Sequence, residues 1–151
     1  TGLAEGALVD ERLRECLETD EPWAALVISI ENLDSFREAY GFIASDDVLR
    51  AVSLMINNSV RDLGSPNAFL GHLSSTQFVL VIKPSEVPIF SEHIQIRLEQ
   101  SLDYFYPIKD RENPKEIPGD RICIRIGQFF PDDQAPTDLD SIKTTLLRQL
   151  N

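Results

Sequence analysis

Cysteine is nearly absent: the 151-residue chain carries only Cys16 and Cys123. Two thiols cannot build a disulfide framework, and a reducing cytoplasm is the simpler setting. Histidine is as scarce, with His72 and His93 alone, which leaves little material for a nucleophile–base pair. Positive charge is short as well. Lys and Arg total 14 against 25 Asp and Glu, a formal net charge of −11, and so acidic a surface repels phosphate backbones and anionic lipid. Neither nucleic acid nor a membrane is therefore expected as a partner. The longest apolar stretch, Ala24 to Ile30 with Ser29 inside it, falls far short of the roughly 20 residues of a membrane span. The chain has no internal repeat, CxxC, HExxH or glycine-rich phosphate loop, so the commonest metal, redox and nucleotide signatures are missing.

What is present is the mix of a soluble globular protein, 42% hydrophobic and 26% charged, at a length that fits one domain. No signal peptide is visible, and the chain opens at Thr1 rather than Met. We expect a single domain over 1–151, excised from a longer protein.

Apolar periodicity gives the elements. Val9, Leu13, Cys16 and Leu17 fall at helical spacing between Glu5 and Thr19, an amphipathic helix with Cys16 as a core thiol. Ala24 to Glu31 reads as a central strand, and a short helix over Asp34 to Tyr40 stops near Gly41. Ser45-Asp46 is expected to open a long helix to about Leu63, with Asp46 as its N-cap. Phe69–Leu73 and Phe78–Lys83 are two strands around Ser74-Ser75-Thr76-Gln77, a hairpin signal. A helix follows Pro84-Ser85-Glu86, with Pro88 tolerated in its first turn. Tyr104 to Asp120, with three prolines, reads as a surface excursion or loose hairpin. Ile122, Ile124 and Ile126 alternate as a strand. Thr137-Asp138-Leu139-Asp140 resembles a capping box before a last helix, and its acids, like Asp132-Asp133, read as structural. This order predicts an α/β sandwich, a central mixed sheet of four or five strands flanked by helices. His93 is expected on a solvated helix face and His72 packed or at a sheet edge.

Several segments, taken in order, resemble one family. Thr1-Gly2-Leu3 resembles its opening, and the strand Leu26 to Glu31 leads at the family's interval to Tyr40-Gly41-Phe42. Ser45-Asp46-Asp47-Val48-Leu49 follows, and the hairpin turn at Ser74 to Phe78 falls where the signature belongs. Arg125-Ile126-Gly127 stands at a later strand. The family is that of GGDEF domains, the diguanylate cyclases. The resemblance spans nearly the whole chain and implies a five-stranded mixed sheet of the nucleotidyl-cyclase kind.

It also implies what has changed. Active members condense two GTP into cyclic di-GMP with divalent metals held by carboxylates. The first of those carboxylates aligns with Ser29 and the second with Thr76. A hydroxyl is a poor substitute, because Mg²⁺ needs hard anionic oxygens to offset its dehydration. Ser74 and Ser75 replace the two signature glycines, whose bare backbone admits the nucleotide, and Gln77 replaces the signature's acid before Phe78. Asp34 stands for a phosphate-facing lysine and Arg37 for a guanine-contacting asparagine. Ser65 and Ala68 occupy the positions of the inhibitory product site. Asp46 alone keeps the family's guanine-recognising identity.

The expectation is a catalytically inactive GGDEF-like module of a cytoplasmic bacterial signalling protein, without cofactor or metal. It would work through a neighbouring receiver or sensor domain or as a homodimer. The alternatives are a GTP or cyclic di-GMP sensor that keeps Asp46, and a residual nucleotide cyclase or hydrolase.

Overall fold

A computed structural model describes residues 1–117, 119–132 and 136–151. Strand β1 (Ala24–Glu31) is apolar almost throughout because both of its faces are covered. It lies between β3 (Gln77–Ile82) and β4 (Cys123–Phe129), and β2 (Phe69–His72) flanks β3, giving the order β2-β3-β1-β4. Ala24, Leu26, Ile28 and Ile30 point to one side, against α2 (Leu33–Tyr40), α3 (Phe42–Leu63) and α4 (Val87–Leu102). Ala25 and Val27 point to the other, against α1 (Ala7–Glu18) and α6 (Leu139–Arg148).

The fold class is the expected sandwich, with two corrections to its sheet. Among the described residues the sheet has four strands, and every strand pair is antiparallel. Parallel pairing among them is one bridge, Ala4 to Gly71. The described residues of the Tyr104–Asp120 excursion do not pair with the sheet; they include short helical turns, among them α5 (Ile108–Glu112). Pro114 suits that outcome, since it opens one turn where no amide donor is needed.

Two helix starts also differ. Gly41, at φ 92°, ends α2 and begins α3, a backbone geometry open mainly to glycine. The long helix therefore starts at Phe42, so Asp46 lies inside it and is not its N-cap. At α6 the N-cap is Asp138, which accepts from the Ser141 amide at 2.9 Å, one residue later than the expected box. Both cysteines are free, Cys16 buried and Cys123 exposed. His93 is half-buried rather than solvated, and its Nδ1 has no partner among the described residues. Of the Asp132-Asp133 pair, Asp133 lies outside the described residues, as does Pro118 of the excursion.

The excursion is fastened to α2. Tyr40 Oη donates to Asp110 Oδ2 at 2.5 Å, and Asp110 is only 7% exposed. Tyr106 packs edge-on against both Phe36 and Tyr40 and accepts the Ile122 amide at its hydroxyl, 2.9 Å away. Burial, and then the Asp110 carboxylate, push the Tyr40 hydroxyl from its ordinary 10.0 up to about 12. A folded-state pKa above the unfolded one means stability held below pH 10 and lost as pH rises toward 12. Ultraviolet titration should show one tyrosine ionising near 12, a step that Tyr40→Phe removes. Retention of that step in the variant would refute the assignment.

Candidate functional site

The end of β1 meets the signature turn because the β1–β3 ladder runs out there. Ser29 pairs with Gln77, and beyond it the Ile30 amide donates to the Thr76 carbonyl at 2.9 Å. The two positions where the resemblance implies metal carboxylates thus lie side by side along the backbone, Ser29 in β1 and Thr76 in the turn just before β3, as hydroxyl residues. The turn closes on Gln77, whose carbonyl accepts from the Leu73 and Ser74 amides at 2.8 and 3.2 Å. Ser74 Oγ donates to Gln77 Oε1 at 2.9 Å. Ser74 and Ser75 are exposed, and Thr76 and Gln77 half-buried.

His72 supports this turn from beneath. Its Nδ1 lies 3.0 Å from the Ser74 carbonyl, an acceptor only, so Nδ1 carries the proton. Nε2 faces Thr1 Oγ1 at 2.7 Å. In the neutral ring, Nε2 is the acceptor of that second bond. The opening Thr1 and the signature turn are thereby joined through one imidazole, which also stacks 4.7 Å from Phe78.

Asn32, at φ 66°, turns the chain from β1 into α2, and its amide donates to the Arg121 carbonyl at 2.9 Å. One turn along α2, Arg37 reaches Asp34 at 3.2 Å and lies over the Phe42 ring. The acid at the position where the resemblance implies a phosphate-facing lysine is therefore ion-paired with its neighbour, a contact worth little in water. Asp46 is exposed on α3, with no hydrogen bond or ion pair among the described residues.

The sequence reading gave no role to Arg125. Its place in β4 is directly across from Ser29. Nη1 donates to the Leu150 carbonyl at 2.9 Å, and Nε lies 3.7 Å from Glu31 Oε1. Its partners Glu31 and Leu150 are remote in sequence, so no local pattern marks it.

A family model described as diguanylate cyclase, GGDEF domain, matches residues 1–117. The chain belongs to the GGDEF family. Solved structures agree at the level of the fold. The GGDEF domain of DgcB from Caulobacter crescentus, in complex with c-di-GMP, matches at TM-score 0.68 and 18% identity over 99% of this chain and 82% of that one. The S helix-GGDEF-EAL portion of Vibrio cholerae LapD, bound to c-di-GMP, also matches at 0.68 and 18%, over 98% of this chain. This chain spans only 30% of that one. SiaD from Pseudomonas aeruginosa, a diguanylate cyclase in complex with its activator SiaC, matches at 0.66 and 14% identity, over 98% of this chain and 56% of that one. Among curated proteins, no sequence match is found.

The residues at the β1 end do not fit the divalent ion that the GGDEF resemblance implies. Ser29 is 2% exposed and offers no charge. The neighbour across the strand is a guanidinium, which opposes a second cation. Among the described residues, no three His, Cys, Asp or Glu side chains gather as a metal cluster.

Proposed function

We propose that this GGDEF domain is non-catalytic and works through interdomain or protein–protein contacts in a bacterial signalling protein of the cytoplasm. The observation that carries the reading is the pair Ser29 and Thr76, brought together at the strand ends with no carboxylate at either position. Metal-assisted phosphoryl transfer gains several kcal/mol from the ions themselves, so losing both ligands removes most of the rate. A receiver or sensor domain of the same chain, or a second copy, is the expected partner. SiaD of Pseudomonas aeruginosa, solved in complex with its activator SiaC, gives a family precedent for protein contact. Incubation with GTP and Mg²⁺ or Mn²⁺, followed by chromatography, is expected to yield no cyclic di-GMP above a protein-free control. Product that disappears when the protein is unfolded would overturn the proposal.

A second reading is favoured by Asp46. Because α3 starts at Phe42, its carboxylate is released from the capping role and stands exposed. That leaves it available to a guanine edge, as in a GTP or cyclic di-GMP sensor. Calorimetry with GTP, GDP and cyclic di-GMP is expected to show affinity weaker than about 10 μM, since a single bidentate contact supplies only a few kcal/mol. Tighter binding that Asp46→Ala weakens tenfold or more would establish the sensor instead.

A further inference from the structure

We propose that Arg125 is a resident cation that closes the β4 side of the β1 end of the sheet, tying Glu31 to the C-terminal end of α6. The inference goes beyond the absence of carboxylates, because it assigns a fastening role to a group of the chain itself.

Three features meet there. Arg125 lies across β1 from Ser29, whose short side chain neither attracts nor obstructs a guanidinium. One end of that guanidinium bonds the Leu150 carbonyl, and the other faces Glu31. Carbonyls just past a helix C-terminus lack intrahelical donors and carry partial negative charge, so a cation is favoured on them. Two residues on, Gly127 lets the Gln149 backbone settle on β4; a Cβ there would stand 2.6 Å from the Gln149 carbonyl carbon. Leu150 is then buried with Ile142, Leu146 and Val27. The forked guanidinium can serve the carboxylate and the carbonyl together, which an ammonium does less well.

Ser29 and Arg125 form a matched pair in this arrangement. A carboxylate at position 29 would draw the guanidinium away from Leu150, whereas serine leaves it to hold the helix end. The Arg125 side chain is 56% exposed, so its effect is local, on the seating of α6, rather than on global stability.

Hydrogen exchange read by mass spectrometry tests this on the intact chain, with EDTA or with millimolar Mg²⁺ or Mn²⁺. In the wild type, exchange over 139–151 is expected to be the same under all three conditions. Arg125→Met keeps the aliphatic stem and should speed exchange in that segment about tenfold, leaving α3 and α4 unchanged. Ser29→Asp should give a smaller acceleration in the same segment. If Arg125→Met does not fold, Arg125→Lys carries the test, with the same pattern at reduced size. Unchanged exchange over 139–151 in the folded variant would overturn the proposal. So would a wild type protected by divalent ions. The proposal shares with the non-catalytic reading an end of the sheet without metal, yet the two fail separately: cyclic di-GMP formation would refute that reading, while exchange alone decides the role of Arg125.

Discussion

Phe78→Ala is expected to cost about 3–5 kcal/mol of folding stability, the usual range for removing a buried ring. Phe78 is fully buried, the first such residue after the signature turn, and it pairs across the ladder with Ile28. Its loss would leave a cavity between β1, β3 and the helices over that face. The ring also stacks on His72, which bonds the Ser74 carbonyl on one side and faces Thr1 on the other. Removing it loosens the turn as well as the core. Domains of this size are stable by about 5–15 kcal/mol, so the change removes a large fraction of the total. Urea denaturation measures it directly, and a loss below about 1 kcal/mol would mean that the hairpin is anchored elsewhere. Of the five residues at the signature, Phe78 alone keeps the family's identity. It is also the one that the fold buries completely, so its role is packing.

That division explains how much was legible in the sequence. The apolar periods of α1, β1, α3 and α4 gave those elements nearly to their ends, because each buries a continuous stripe. The start of α3 was hidden by Gly41: a glycine reads as a stop, yet its positive φ allows one helix to end and another to begin on the same residue. The excursion was legible as irregular but not as docked. Its anchor joins Tyr40 to Asp110 across 70 residues, and no local pattern marks a single buried carboxylate. At the candidate site, the resemblance implies Ser29 at the end of β1 and Thr76 in the hairpin turn, and the β1–β3 ladder sets the backbone at those two places side by side. The capping role of Asp46 was a local inference, and it failed with the helix start it depended on. Arg125 was missed because its meaning comes from Ser29, Glu31 and Leu150 at once, contacts made only after the sheet closes.

Gly127→Ala is expected to destabilise the fold by about 2–3 kcal/mol and to lift the end of α6 from the sheet. The atoms that a Cβ would meet at Gly127 include the Gln149 carbonyl carbon, 2.6 Å away. That obstacle is backbone, so it moves only if the helix end moves with it. Gly71 provides the contrast. Its added Cβ would stand 2.7 Å from a methyl of Val9 and 3.1 Å from the Ala4 carbonyl oxygen, so the closest obstacle is a side chain and the backbone is met less tightly. Alanine also restricts the unfolded chain, which returns about 0.4–1 kcal/mol at either position. The two substitutions are chemically identical, and the difference is that backbone is the tightest obstacle at Gly127 and a side chain at Gly71. Thermal unfolding should therefore rank Gly127→Ala as clearly worse than Gly71→Ala, with a drop in midpoint of several degrees between them. Equal losses, or the reverse order, would mean that the C-terminal end of α6 is not seated against β4 as the geometry requires.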